Sequence, residues 1–320
     1  MKFHHALLFA LTIPACTGTG AGSKATQDRF SSLAVETSEE AAKQYTSFPS
    51  YWGRGLAELN RYEVKKGRYS EQHEGEAVFV FVTEDFDTVK QVKSDTGRDE
   101  GATTVLKLNA YERFYTGIYP YTILSSIFSP TSEALAQNEP YKIMATVQEW
   151  CGATWLQLNK NEEGYAGKGM SYFQSQGDRT FQLAKGHYED SVWNTIRLNP
   201  ASLPTGKIEM VPPMAFASLM HIEIKAYEVQ ASLKENQDSP YSDKKLSVYH
   251  LSYPALQRTM AFHFETVFPH RIFGYEETKK SFKGQVLKTT GRLTHSIMLD
   301  YWNKHNQIDG AYRDALGLQY

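Results

Sequence analysis

Val78-Phe79-Val80-Phe81-Val82 is the stretch that decides the fold. Five consecutive β-branched or aromatic residues favour a strand, because such side chains lose rotamer freedom against a helical turn but pack well on a pleated surface. With no polar residue alternating among them, both faces of this strand are expected to be covered. Outward from it, apolar residues recur with a period of two. Leu106 and Leu108 alternate with Lys107 and Asn109, and Met260, Phe262 and Phe264 oppose His263 and Glu265. Leu293, Ile297, Leu299 and Tyr301 oppose Arg292, Thr294 and Ser296. Val147, Cys151, Ala153 and Trp155 read as one face of a further strand. Ile222, Ile224 and Ala226 read as another, with His221, Glu223 and Lys225 opposite. Each set lies on one side of a sheet whose other side is wet.

Turns are expected at Glu74-Gly75, Gln176-Gly177-Asp178 and Lys283-Gly284. Helical signals are few. One short helix is expected after Thr37 or Ser38, one capped by Asp190 that carries Val192 and Ile196 and stops before Pro200, and a terminal turn over residues 311–316 before Gly317. No strand–helix–strand alternation appears, so a parallel sheet is not expected. The fold class is mainly β, with α+β as the variant: large antiparallel sheets forming a curved half-barrel or a sandwich, with a few short helices. No internal repeat is visible.

The 320 residues are 41% hydrophobic and 22% charged, which excludes a disordered chain. The net charge of −2 provides no field that would draw the protein to nucleic acid. The 20 Tyr, 17 Phe and 5 Trp fit strand packing and also fit the lining of an apolar cavity. At the N-terminus, Lys2 precedes an apolar stretch over residues 6–13, too short for a bilayer span of about 20 residues but suited to a signal peptide. It ends Ile13-Pro14-Ala15-Cys16, which resembles a bacterial lipobox, with Pro14 a departure from the usual residue there. That resemblance implies cleavage before Cys16 and lipidation of its thiol. The domain reading is therefore a signal peptide over residues 1–15, a lipidated flexible tether over 16–50, and a single β-rich domain over 51–320. With Cys16 lipidated, Cys151 has no partner within the chain and no disulfide framework forms. Thr17, in place of an inner-membrane retention aspartate, favours the outer membrane, facing the periplasm.

Chemical motifs are scarce. Gly-x-Ser-x-Gly and His-Glu-x-x-His are absent, and the His221-x-Glu223 pair lacks the downstream Cys-x-x-Cys of zinc deaminases. Neither a metal nor a cofactor is expected. Cys151, next to Glu149, reads as a buried structural thiol whose pKa the carboxylate raises. No catalytic residue is assigned. The segment over residues 115–128 is apolar on both faces if extended, so it needs two covers: the main core, and either the helix over residues 190–198 or a bound lipid tail. Tyr119, Tyr121, Trp150 and Trp155 are the candidate ligand-lining residues.

Several blocks are similar to a group of proteins typical of Bacteroidota that carry the name septum formation inhibitor Maf. They are Val105-Leu106-Lys107-Leu108-Asn109, Thr116-Gly117-Ile118-Tyr119-Pro120-Tyr121, Val147-Gln148-Glu149-Trp150-Cys151-Gly152, Trp193 with Ile196-Arg197-Leu198-Asn199-Pro200, and Asp300-Tyr301-Trp302-Asn303-Lys304. The similarity runs over residues 51–318. True Maf pyrophosphatases open with a Ser-x-Ser-x-Arg-Arg loop; here Ser125-Ser126 run into Ile127 and Phe128. The resemblance thus implies membership and export, not Maf activity or its residues. The functional expectation is a non-enzymatic, membrane-anchored envelope protein binding an apolar or lipid ligand on a curved aromatic sheet, by architectural analogy with LolA-like lipoprotein carriers. The alternatives are an envelope hydrolase and a structural partner in an envelope complex.

Overall fold

In the computed structural model, residues 35–97, 101–131 and 139–318 are described; the expected signal peptide, Cys16 and the glycine-rich start of the expected tether lie outside them. In chain order the strands are β1 (Ala57–Arg68), β2 (Glu71–Asp87), β3 (Val92–Lys93), β4 (Ala102–Thr116), β5 (Tyr119–Pro130), β6 (Lys142–Glu149), β7 (Gly152–Lys160), β8 (Gly164–Ser171), β9 (Arg179–Ala184), β10 (His187–Tyr188), β11 (Gly206–Val211), β12 (Tyr227–Ser239), β13 (Ser242–Tyr253), β14 (Arg258–Phe264), β15 (Ile272–Lys280) and β16 (Val286–Leu299). The helices are α1 (Ser38–Gln44), α2 (Phe48–Trp52), α3 (Glu189–Leu198), α4 (Met214–Met220) and α5 (Ala311–Ala315).

All sixteen strands join one open, curved sheet. Its path runs from β10 through β16 to β1 and β2, then from β4 to β9, with β3 as a side branch on β2. Neighbours are antiparallel except β10 and β11, a two-residue parallel pair joined through α3. Among the described residues that pair is the one parallel contact, where no parallel sheet was expected. The chirality of strands lets so long a sheet coil, and the concave side then needs filling. α3 fills it.

The founding pentapeptide is covered on both faces. Phe79 and Phe81 point inward to the main core with Tyr62, Leu106, Leu108, Phe262 and the α3 residues Val192 and Ile196. Val78 and Val82 point outward into a second layer with Leu59, Ile297, Leu299 and Leu316 beside α5. A third cluster links the far end of the sheet to α4, through Ile143, Leu156, Leu158, Tyr165, Val211 and Met214.

Four local expectations are corrected. The tether does not extend to residue 50: from Val35 the chain is structured, Thr37 caps α1 through a capping box with Glu40, and Ala41, Tyr51 and Trp52 are buried. Val147 and Trp155 lie on two strands, because Trp150-Cys151 form the hairpin turn between β6 and β7. Residues 221–226 are not a strand. His221 takes a left-handed conformation that ends α4, and Ile224 is buried in the third cluster without a ladder partner, so burial produces the alternation. Glu74-Gly75 is not a turn; the chain reverses at Tyr69 and Ser70. Gly75 faces Phe114 across the ladder, where a Cβ would sit 2.7 Å from the Phe114 Cβ, so this glycine serves close packing.

Candidate functional site

α3 is the element that builds the site, and it is held on the concave face at three points. Arg197 makes a bidentate pair with Glu58 of β1, at 2.5 and 2.7 Å, and its Nε donates to the Pro269 carbonyl at 2.9 Å. The same carboxylate accepts from Asn60 Nδ2 at 2.8 Å and from the Tyr51 hydroxyl. The guanidinium lies over the rings of Phe81 and Trp52. A buried pair with every lone pair engaged fixes geometry, and its removal leaves a stranded charge. In mid-helix, Asn194 Nδ2 donates to the Leu106 carbonyl, the Ser129 hydroxyl and the Ile127 carbonyl at 3.0, 3.0 and 3.3 Å. At the first turn, Glu189 takes a bidentate grip from Arg258 of β14, at 2.6 and 2.7 Å.

Between α3, α4 and the concave faces of the central strands lies a cavity of about 130 Å³. Its wall is apolar and aromatic: Phe79, Ile127, Trp193, Phe216 and Met260. Trp193 meets Phe79, Phe262 and Tyr275 edge-on, with ring centroids 4.8–5.3 Å apart. Its other side is ionic. Glu277 accepts from Arg258 Nε at 2.7 Å and from Lys279 Nζ at 2.5 Å, while Lys66 pairs with Glu112 at 2.8 Å. Tyr275 lines the same cavity, and its hydroxyl is buried with no hydrogen-bond partner. Its ring lies over Gly291, its cross-strand neighbour, where a Cβ would come within 2.1 Å of the ring; only glycine leaves that space.

Burial is the largest influence on Glu277, Lys279 and Asp190, and their partners decide the outcome. It opposes ionisation of Glu277, yet Lys279, Arg258 and Lys66 outweigh it and hold the carboxyl well below the usual range. Lys279 is pushed down by burial, partly rescued by Glu277, and pushed down again by Lys66. Asp190 has no cation strong enough to compensate. Burial lifts its carboxyl to about 7, although its Oδ2 accepts the Met214 N–H at 2.9 Å. The arrangement can therefore hold charge and supply hydrogen bonds inside an apolar chamber.

The four candidate lining residues lie elsewhere. Tyr121 is buried, its ring stacked on Phe114 at 4.9 Å, and its hydroxyl meets those of Tyr69 and Arg68's guanidinium. Tyr119 is half-buried and bonds Tyr69. Trp150 is 68% exposed at its hairpin tip, 6.1 Å from Tyr119. Trp155 is half-buried on the outward side of β7, across from Thr146 and Met170. Three of the four thus meet at one end of the sheet, but none lines the cavity. Their segment does contribute through its other inward residues, Ile123, Ser125 and Ile127. α3 packs on the inner face of that segment, within the main core beside Ile127; on the other face Leu124 and Phe128 are half-buried and Ile118 is exposed, so the second face is not fully covered.

Cys151 is not buried: it is exposed in the β6–β7 turn. Its backbone N–H donates to Glu149 at 2.7 Å, and the same carboxylate raises its thiol pKa. His221 and Glu223 do not share a strand face, and Glu223 pairs with Lys225.

What the sequence reading missed is a set of charged residues on inward positions. Lys66 continues Tyr62 and Val64, Glu112 continues Leu106 and Leu108, and Glu277 and Lys279 continue Tyr275. A charge in phase with the buried face of a strand is the signal that would have found them. Among the described residues, no three His, Cys, Asp or Glu side chains converge as a metal site, and no helix is long and apolar enough to cross a membrane. Compared with protein-family models, curated proteins and solved structures, the chain matches none.

Proposed function

We propose that this chain is a lipid-anchored protein of the bacterial cell envelope, of the Bacteroidota group it resembles, and that it binds a small amphiphile without transforming it. The observation that supports the binding role is the cavity: an aromatic chamber with ionic groups on one side, the composition of a ligand site. Its volume narrows the ligand. About 130 Å³ is close to the ~150 Å³ that accommodates benzene in an engineered cavity, and well short of a lipid tail. The apolar ligand expected from the sequence becomes, in this proposal, a compact one held under α3. Export and anchoring rest on the lipobox at Cys16.

The alternative of an envelope hydrolase draws on Asp190, whose carboxyl near 7 has the protonation equilibrium of a general acid or base. Binding is favoured because Glu189, Glu277 and Arg258 are already spent on one another. Extraction of the purified full-length protein with organic solvent, followed by mass spectrometry, tests the reading. A compound recovered in stoichiometric amount supports it, and a clean extract from protein purified in its native host counts against it.

A further inference from the structure

On the ionic side of the cavity, Lys66, Lys279 and Tyr275 have donors to spare, against one carboxylate oxygen, Glu112 Oε1, that is buried without a hydrogen-bond partner and has Lys66 as its ion-pair partner. Both oxygens of Glu189 are taken by Arg258, and the two oxygens of Glu277 are taken by Arg258 and Lys279. Lys66 and Lys279 each have one carboxylate partner, and an ammonium group carries three donors. The two ammonium groups are close enough that Lys66 disfavours the charged form of Lys279. Tyr275 lines the same space, and its buried hydroxyl has no partner at all. A buried donor left unmade is costly, and two like charges facing one chamber add to the cost. One group relieves all three: an anionic oxygen pair between Lys66, Lys279 and Tyr275. Opposite them, Phe79, Trp193 and Phe216 offer a ring-sized apolar wall.

We propose that the ligand is a small organic acid, its carboxylate set between Lys66, Lys279 and the Tyr275 hydroxyl and its apolar body against Trp193 and Phe79. The inference rests on the reading of the cavity as a ligand site and adds the charge of the head group and the size of the body. Sodium benzoate and benzyl alcohol share that body and differ in the head, so titration calorimetry of the full-length protein with each separates the two claims. Benzoate is expected to bind at least about tenfold more tightly than the alcohol, the ordinary worth of a charge-assisted hydrogen bond. Tyr275→Phe, which removes a hydroxyl that bonds nothing in the protein, is expected to weaken benzoate by about tenfold while leaving the unfolding midpoint unchanged or raised. Lys66→Met, at the partly exposed edge of the chamber, is expected to weaken benzoate and spare the alcohol. Equal binding of acid and alcohol, or an unchanged benzoate affinity in Tyr275→Phe, overturns the anionic head and leaves the cavity as a ligand site. Absence of binding by both compounds at millimolar concentration overturns the acid proposal; if solvent extraction is also clean, the ligand-site reading falls with it.

Discussion

Asp190→Asn tests the electrostatics of the chamber through stability. Asp190 is 5% exposed, next to Glu189, and its carboxyl titrates near 7 in the fold against an ordinary value of 3.8. A raised folded value means that the native state holds its proton where the unfolded chain has released it. Between about pH 4 and pH 7 the unfolded state therefore binds fewer protons, and stability falls as pH rises. The contribution is fully present below the unfolded value and is lost by the time pH passes the folded one. Roughly three pH units at 1.36 kcal/mol each give at most about 4 kcal/mol lost across that window. Asparagine carries no charge at either end, and its amide oxygen can still accept the Met214 N–H. Urea unfolding followed by circular dichroism at pH 4, 6 and 8 should show variant and wild type nearly equal at pH 4. The variant should then gain progressively, by up to about 4 kcal/mol at pH 8. A difference that stays flat from pH 4 to 8, or a variant weaker at pH 8, would refute a buried carboxyl that resists ionisation.

Two further outcomes concern the cysteines. The Cys151 thiol should be labelled in the native state without unfolding, at a rate that climbs through and above pH 8, and Glu149→Gln should accelerate it near neutrality, as read by peptide mass spectrometry. Labelling that requires denaturant would contradict its place in the exposed turn. Cys16→Ala should move the protein from the membrane fraction to the soluble one; unchanged partitioning into detergent would remove the anchor from the account.

The strands were legible where packing is one-sided or fully apolar. Val78 to Val82 announced a doubly covered strand, and Met260, Phe262 and Phe264 an inward face, because burial writes a period of two directly into side-chain type. Residues 221–226 imitate that signal because Ile222 and Ile224 pack against a core without pairing to a neighbouring strand. Gly75 looked like a turn because sequence cannot distinguish a glycine that frees the backbone from one that admits Phe114. The chamber was the least legible part. Lys66, Glu112, Tyr275 and Glu277 come from three strands spread over more than two hundred residues, and only sheet curvature and α3 bring them together. The aromatics chosen instead, Tyr119, Tyr121 and Trp150, did gather, but at the sheet's end, because hairpin tips and inward faces are equally rich in rings.

The central claim, that the chamber beneath α3 holds a small molecule, is tested most directly by native mass spectrometry of full-length wild type and Ala110→Leu, purified side by side from the native host. Ala110 lines the chamber, and leucine there fills much of its volume. The wild type is expected to carry a discrete non-covalent mass excess, released on unfolding, that the variant lacks. No non-covalent excess on either protein, or the same excess on both, would contradict the presence of a small molecule in the chamber.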